Sequence, residues 1–142
     1  MSFLPGPGPI PVLAAALALG AVLLAAPAPA DAADPQLAHS VVFALKDKSP
    51  AARDKFVASC EKYLTGHRGT VTFAVGVIAD DVVEPVSDRD FDVTVHVVFE
   101  DKGMLDAYLK SERHGQFVAE NKDKFAKVRV FDSYLPVAKP KG

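Results

Sequence analysis

Apolar and polar residues alternate between positions 91 and 99, and this period of two predicts a β-strand. Val98 interrupts the alternation because it is apolar on the side that is otherwise polar. A strand with hydrophobic residues on both faces is expected to be covered on both faces. The pattern therefore predicts a strand at the centre of the fold. Its regular apolar positions are Phe91, Val93, Val95, Val97 and Phe99.

Two helical segments are predicted after this strand. Asp101 stands at the position of a helix N-cap, and apolar residues follow at helical spacing as far as Leu109. A polar break at residues 110–113 precedes a further helical segment over about 113–126. The apolar side of that segment is predicted to carry Phe117, Val118 and Phe125. This break is where we expect chemically functional side chains.

The remaining pattern predicts three more strands and one more helix. Alternating residues indicate the strands at 39–46, 69–79 and 127–135. Ser49 and Pro50 favour a helix start, and Gly66 favours its end. The resulting order, β-α-β-β-α-β, is that of an α+β protein with a ferredoxin-like sandwich. We assign it to residues 39–135, after a leader at 34–38 and before a flexible tail at 136–142.

Residues 1–33 have the composition of a secretory signal peptide. They contain no Lys, Arg or Glu, and residues 10–26 are almost continuously apolar. Small residues around positions 28–32 resemble a signal-peptidase site. We therefore expect export to the periplasm or the extracellular space. An uncleaved membrane anchor remains the alternative, because the apolar run is just long enough to span a bilayer with its flanks.

The face of the predicted sheet that the helices do not cover is its second face. The side chains predicted there are small and mostly apolar, so this face is not expected to be exposed to water. Helices in a ferredoxin-like unit cover only one face of the sheet. Pairing two such sheets face to face would bury the other, so we predict a homodimer that forms an α+β barrel. The residues of this second face are Val42, Ala44, Thr72, Ala74, Thr94, His96 and Val98.

Charge and cysteine content exclude several classes of protein. Asp31 and Asp34 are the only charged residues before position 35, so the remainder carries 16 basic and 16 acidic groups. A chain without net positive charge is not expected to bind nucleic acid. Cys60 is the only cysteine and is expected to pack as a small hydrophobic residue. No motif predicts a cofactor or a metal site.

Residues 91–118 resemble the stress-responsive A/B-barrel (Dabb) domain family. The shared features are a strand ending in Phe99-Glu100-Asp101, a helix with Tyr108-Leu109, and His114 before Phe117. The resemblance extends from about residue 39 to residue 135. It implies a dimeric α+β barrel, in agreement with the pattern.

The resemblance also implies two candidate catalytic residues. Some relatives of this fold are polyketide cyclases, in which a Tyr and a His near the second helix act as an acid–base pair. Tyr108 and His114 match those positions. A neutral His can take an α-proton while a Tyr hydroxyl donates to the carbonyl. This chain departs from the cyclase pattern at Val93, where those enzymes have a further His.

The other three histidines are not expected to be catalytic. His39, at the start of the first strand, is expected to make a structural hydrogen bond, and His67 in a turn is expected to be solvated. Strand parity places His96 inside the barrel, paired with Asp92 or Glu100.

Two hypotheses for function remain open. The first is a homodimeric binding or stress-related module with an apolar pocket for a small apolar or aromatic ligand. The second is an enzyme of the cyclase or cofactor-free oxygenase type that uses Tyr108 and His114. An open cavity that presents both residues would favour the second, and a filled core would exclude it. The pocket is predicted to be lined by Val41, Phe43, Phe56, Val93, Val95 and Tyr108.

Overall fold

The computed structural model describes residues 34–136. The predicted signal segment at 1–33 and residues 137–142 of the predicted tail lie outside this range. Within it, no helix has the length and hydrophobicity needed to cross a bilayer. The elements in chain order are β1 (Leu37–Leu45), α1 (Pro50–Leu64), β2 (Thr70–Val77), β3 (Val93–Phe99), α2 (Lys102–Leu109), α3 (Glu112–Asn121), a 3₁₀ turn (Lys122–Lys124) and β4 (Phe125–Tyr134).

The four strands form one antiparallel sheet in the order β2-β3-β1-β4. The two central strands, β1 and β3, are the most buried of the four. The helices pack on one face of this sheet, which confirms the predicted ferredoxin-like α+β fold. The central strand predicted from the alternation at 91–99 is therefore confirmed as a central element.

Each helix begins at the N-cap that its local sequence favours. The Ser49 hydroxyl accepts a hydrogen bond from the backbone N–H of Ala52 at 3.3 Å. The Asp101 carboxylate accepts one from Met104 N–H at 2.9 Å. A third cap, Ser111, falls inside the predicted polar break and starts α3 directly after α2.

Some element boundaries differ from those predicted. β1 begins at Leu37 and so includes part of the predicted leader. The prediction that Phe125 lies on a helix is wrong, because α3 ends at Asn121 and Phe125 begins β4. The strand predicted from Phe91 begins at Val93, two residues later. Asp92 therefore lies just before β3 and not within it.

The alternation over 91–99 predicts Asp92 on the polar side of a strand, and that prediction is wrong. Its side chain is completely buried, and it connects three elements. One carboxylate oxygen accepts from the backbone N–H of Leu45 at 2.8 Å. The other accepts from Arg53 of α1, through Nε at 3.0 Å and through Nη2 at 2.9 Å. A buried carboxylate is tolerated because it is paired with a cation and hydrogen-bonded in this way.

The face of the sheet opposite the helices is largely uncovered in one chain. Val42 and Val98 are partly buried there, and His96 is exposed. Phe131 of β4 pairs in register with Ser40 and therefore lies on the same face, where it is also exposed. We call this the second face. Its composition agrees with the face predicted from strand parity.

Candidate functional site

A cavity of about 220 Å³ opens between the sheet and helices α2 and α3. Its wall is apolar except for two histidines and a tyrosine. The β4 valines and two residues of the helices stand partly exposed at its border, so the cavity communicates with solvent. The lining residues are His39, Val41, Phe43, Leu64, Val95, Tyr108, Leu109, His114, Phe117, Val118, Phe125, Val128 and Val130.

Tyr108 lies at the centre of a cluster of histidine rings. The ring centroids of His67 and His114 lie 4.8 Å and 4.9 Å from that of Tyr108, both edge-on. His39 lies 6.1 Å away in a similar orientation. Three of the four histidines in the sequence therefore surround one tyrosine, although they come from three separate segments.

The polar ends of Tyr108 and His114 are available to a ligand. Among the described residues, neither the Tyr108 hydroxyl nor a ring nitrogen of His114 has a hydrogen-bond partner. Burial raises the pKa of Tyr108, so its hydroxyl keeps its proton. Burial, together with nearby His39 and His67, lowers the pKa of His114, which is therefore neutral at pH 7. A neutral imidazole and a phenol can each donate or accept one hydrogen bond.

His39 adds a third polar group to the cavity. Its Nδ1 lies 2.6 Å from a carboxylate oxygen of Asp132, which faces it in the β1–β4 register. A carboxylate only accepts, so the Nδ1–H of His39 donates this hydrogen bond. The expected structural hydrogen bond of His39 is present, and it also orients the ring of a residue on the cavity wall.

The structure brings together most of the residues predicted for the pocket. Val41, Phe43, Val95 and Tyr108 line the cavity, together with His114. Phe56 and Val93, which are core residues, do not line it. Phe56 instead borders a separate cleft of about 280 Å³, which no His or Tyr lines. Three lysines line this cleft: Lys46, Lys55 and Lys124.

Two of the histidine predictions need correction. His67 is not solvated, because it is partly buried and its Nε2 bonds to the Tyr63 carbonyl at 2.8 Å. His96 is bonded to neither Asp92 nor Glu100. Its Nδ1 lies 3.0 Å from the Ser40 hydroxyl on the second face. The carboxylate of Asp92 instead accepts hydrogen bonds from Arg53 and from the backbone N–H of Leu45.

Cys60 is buried, as expected for a small hydrophobic residue. Burial raises its pKa to about 12, so the thiolate nucleophile is disfavoured. Among residues 34–136, no group of three or more His, Cys, Asp or Glu side chains is placed to hold a metal ion.

The place of His39 on the cavity wall and its hydrogen bond to Asp132 are not predicted from the sequence. A signal was present, since an antiparallel pairing of the first and last strands can place the two residues opposite each other. Choosing that register requires knowing which strands are neighbours. The sequence pattern alone does not specify this.

A family model described as the stress responsive A/B barrel domain matches residues 37–135 of the chain. This range begins at β1 and ends one residue after β4, so it contains the whole described fold and every residue of the cavity. No curated protein sequence matches the chain.

Several solved structures have a similar fold. A Dabb family protein from Mesorhizobium loti is 24% identical, with a TM-score of 0.60, over 74% of this chain and all of that chain. A dimeric ferredoxin-like protein from Thermobifida fusca is 14% identical, with a TM-score of 0.60. The match covers 72% of this chain and 92% of that chain. The hydroxynitrile lyase of Passiflora edulis is 16% identical, with a TM-score of 0.59, over 75% and 98%. At these identities the likeness shows the fold alone.

Proposed function

Because the chain belongs to the stress responsive A/B barrel (Dabb) domain family, we propose that it is a binding module for a small, mainly apolar molecule. The observation that carries this proposal is the open cavity with unpartnered Tyr108 and His114. A core residue whose polar end lacks a partner loses stability unless water or a ligand supplies one. A mainly apolar wall with a few convergent polar groups is the usual lining of a small-molecule site.

The cavity sets the size and polarity of the ligand. Its volume of about 220 Å³ is somewhat larger than the roughly 150 Å³ of an apolar cavity that holds benzene. A single-ring aromatic molecule with a carbonyl or hydroxyl group therefore fits. Its ring would contact valine and phenylalanine side chains, while its oxygen meets Tyr108, His114 or Nε2 of His39.

Single-ring aromatic ketones and phenols are expected to bind the protein, and Tyr108→Phe is expected to weaken that binding about three- to tenfold. This is the loss of one hydrogen bond to the ligand, worth about 0.5–1.5 kcal/mol. Isothermal titration calorimetry measures it. Tyr134→Phe is the matched control, because Tyr134 is exposed and does not line this cavity. Equal losses in both variants, or no binding across the panel, would contradict the proposal.

Proton transfer is the second candidate function, and it requires the binding site proposed above. It is favoured by the open cavity lined by both Tyr108 and His114, by the neutral state of His114 and by the position of His114 against Tyr108. A ring nitrogen of His114 would take an α-proton from a bound ketone while the Tyr108 hydroxyl donates to its carbonyl oxygen. The proton then returns to the same carbon. The hydroxynitrile lyase among the similar structures is an enzyme, which is compatible with catalysis on this fold.

Proton transfer is expected to appear as exchange of the methyl protons of acetophenone in D₂O, followed by NMR. His114→Gln should slow protein-catalysed exchange by about 100-fold or more, the usual scale of general-base catalysis. His96→Gln, a change on the second face, should leave the rate unaltered. Exchange by His114→Gln at the rate of the unmodified protein would exclude His114 as the base and leave the binding proposal standing.

The proposed assembly is a homodimer through the second face. Exposed Phe131 and partly buried Val42 and Val98 on that face favour burial against another surface. Several similar structures are described as dimeric ferredoxin-like proteins, including that of Thermobifida fusca and one from Jannaschia sp. CCS1. In this assembly His96 would lie inside the barrel. The helix-covered cavity is on the opposite side of the sheet and would stay accessible.

The proposed location is outside the cytoplasm, on the basis of the composition of residues 1–33. N-terminal sequencing of the protein recovered from an exporting host is expected to find a chain that begins near residue 33. An intact N-terminus in the membrane fraction would instead support the uncleaved anchor.

A further inference from the structure

The connection between β2 and β3 is a long exposed loop that is nevertheless held at several points. We call residues 80–90 the arm; every residue in it is exposed. Within the arm, Arg89 donates to the Val82 carbonyl at 2.7 Å and pairs with the Asp80 carboxylate at 3.5 Å. Arg53 of α1 binds the same carboxylate at 3.2 Å. The start of the arm is thus held by contacts within the arm and by an ion pair with α1.

The far end of the arm is fixed to β4. Lys127 Nζ donates to the Asp90 carboxylate at 2.8 Å. Arg129 pairs with the Asp88 carboxylate and donates to the Asp90 carbonyl at 2.8 Å. In the β1–β4 register, Lys127 and Arg129 face Ala44 and Val42, so both belong to the second face. The arm therefore reaches past β1 and ends beside the second face.

These ion pairs change the charge of the second face. Without them, Lys127 and Arg129 would place two unpaired cations on it. Two copies of the chain meeting by a two-fold axis would then bring like charges together, which is costly. Arg129 lowers the pKa of Asp88, and Lys127 lowers that of Asp90, so both carboxylates are ionised at neutral pH. The arm neutralises the face that the proposed dimer buries.

We call the contacts of Asp80 with α1 and of Asp88 and Asp90 with β4 the anchors of the arm. The part of the arm between these anchors presents apolar side chains to solvent. Val83 is 71% exposed and Val86 is 94% exposed, and Val82 is also exposed. Pro85 between them restricts the backbone. Scattered exposed valines are ordinary, but three within five residues of an anchored loop concentrate exposed apolar surface on one short segment. Because the anchors already order the loop, contact with a partner would cost less conformational entropy.

We propose that the arm packs against a second copy of this chain, with Val83 and Val86 forming apolar contacts at the rim of the dimer. The inference rests on the homodimer proposed above and extends it beyond the sheet faces. The second copy is the favoured occupant because the anchors place the arm at the edge of the second face. Each chain would contribute one arm, so the contact occurs twice.

Sedimentation equilibrium of the full chain tests this proposal. The Val83→Ser/Val86→Ser double variant is expected to raise the dimer dissociation constant at least about tenfold, because four valine side chains per dimer lose apolar contact. Val77→Ser is the control for an exposed valine outside the arm. Val77 pairs with Val93 and so lies on the helix-covered face. Thermal unfolding of each variant establishes that it folds.

The possible outcomes distinguish the proposal for the arm from the proposal of a homodimer. If the unmodified chain dimerises and the double variant has the same dissociation constant within twofold, the arm proposal is wrong and the homodimer stands. An equal effect of Val77→Ser would also overturn it. If the unmodified chain is monomeric at 100 µM, a concentration on the order of 100-fold above the dissociation constant of a micromolar dimer, both proposals fail.

Discussion

Asp92→Ala is expected to lower the free energy of unfolding by about 3–5 kcal/mol, the usual cost of breaking a buried ion pair by removing one partner. Asp92 is 0% exposed, and its carboxylate satisfies both Arg53 and the backbone N–H of Leu45. Alanine would leave the partly buried guanidinium without its closest acid and an N–H without an acceptor. Chemical denaturation followed by circular dichroism measures the change.

Two further variants distinguish this effect from general loss of acidic charge. Asp92→Asn keeps the shape and can still accept from Leu45, so about half of the alanine loss is expected. Asp123→Ala removes an exposed carboxylate from the 3₁₀ turn and is expected to stay within about 0.5 kcal/mol of the unmodified protein. An Asp92→Ala protein within about 1 kcal/mol of the unmodified one, which is the centre of the distribution of single-mutant effects, would contradict the structural role of Asp92.

Val98→Lys is expected to convert the proposed homodimer to a monomer, with a rise in the dissociation constant of about 1000-fold or more. Val98 lies on the second face of β3, where it pairs with Ala38 of β1 and Thr72 of β2. A two-fold axis would place two added cations in one buried interface, at a cost of several kcal/mol. Light scattering coupled to size-exclusion chromatography gives the mass directly.

Ala119→Lys is the matched control for this change. It adds the same charge on an exposed position of α3, on the other side of the sheet from the second face. That variant should keep the oligomeric state of the unmodified chain. Dimers that persist in Val98→Lys would place the interface elsewhere. In that case Phe131 and its neighbours would need another explanation.

The sequence predicts the fold well because the information for each element is local. Alternation marks the four strands, and Ser49 and Asp101 mark helix starts that the structure places at the same residues. The boundary errors at Asp92 and Phe125 have a common cause. Each residue has a side chain consistent with two local structures, and a contact distant in the chain decides between them.

The candidate site is less predictable because it is assembled from distant segments. The resemblance in residues 91–118 indicated Tyr108 and His114, which are six residues apart. His39, His67 and Asp132 come from other parts of the chain and join them only through the sheet register and the turn after α1. Local patterns also cannot separate Phe56, which fills the core, from Phe43, which borders the cavity.

A methyl NMR titration of valine-labelled protein with acetophenone tests most directly whether the cavity binds a small apolar ligand. Chemical-shift changes are expected in the valines that line the cavity, with little change in Val42 and Val98 of the second face. Shifts that map to the second face or the arm, or no shifts at saturating ligand, would contradict a binding site in this cavity. The reporting valines are Val41, Val95, Val118, Val128 and Val130.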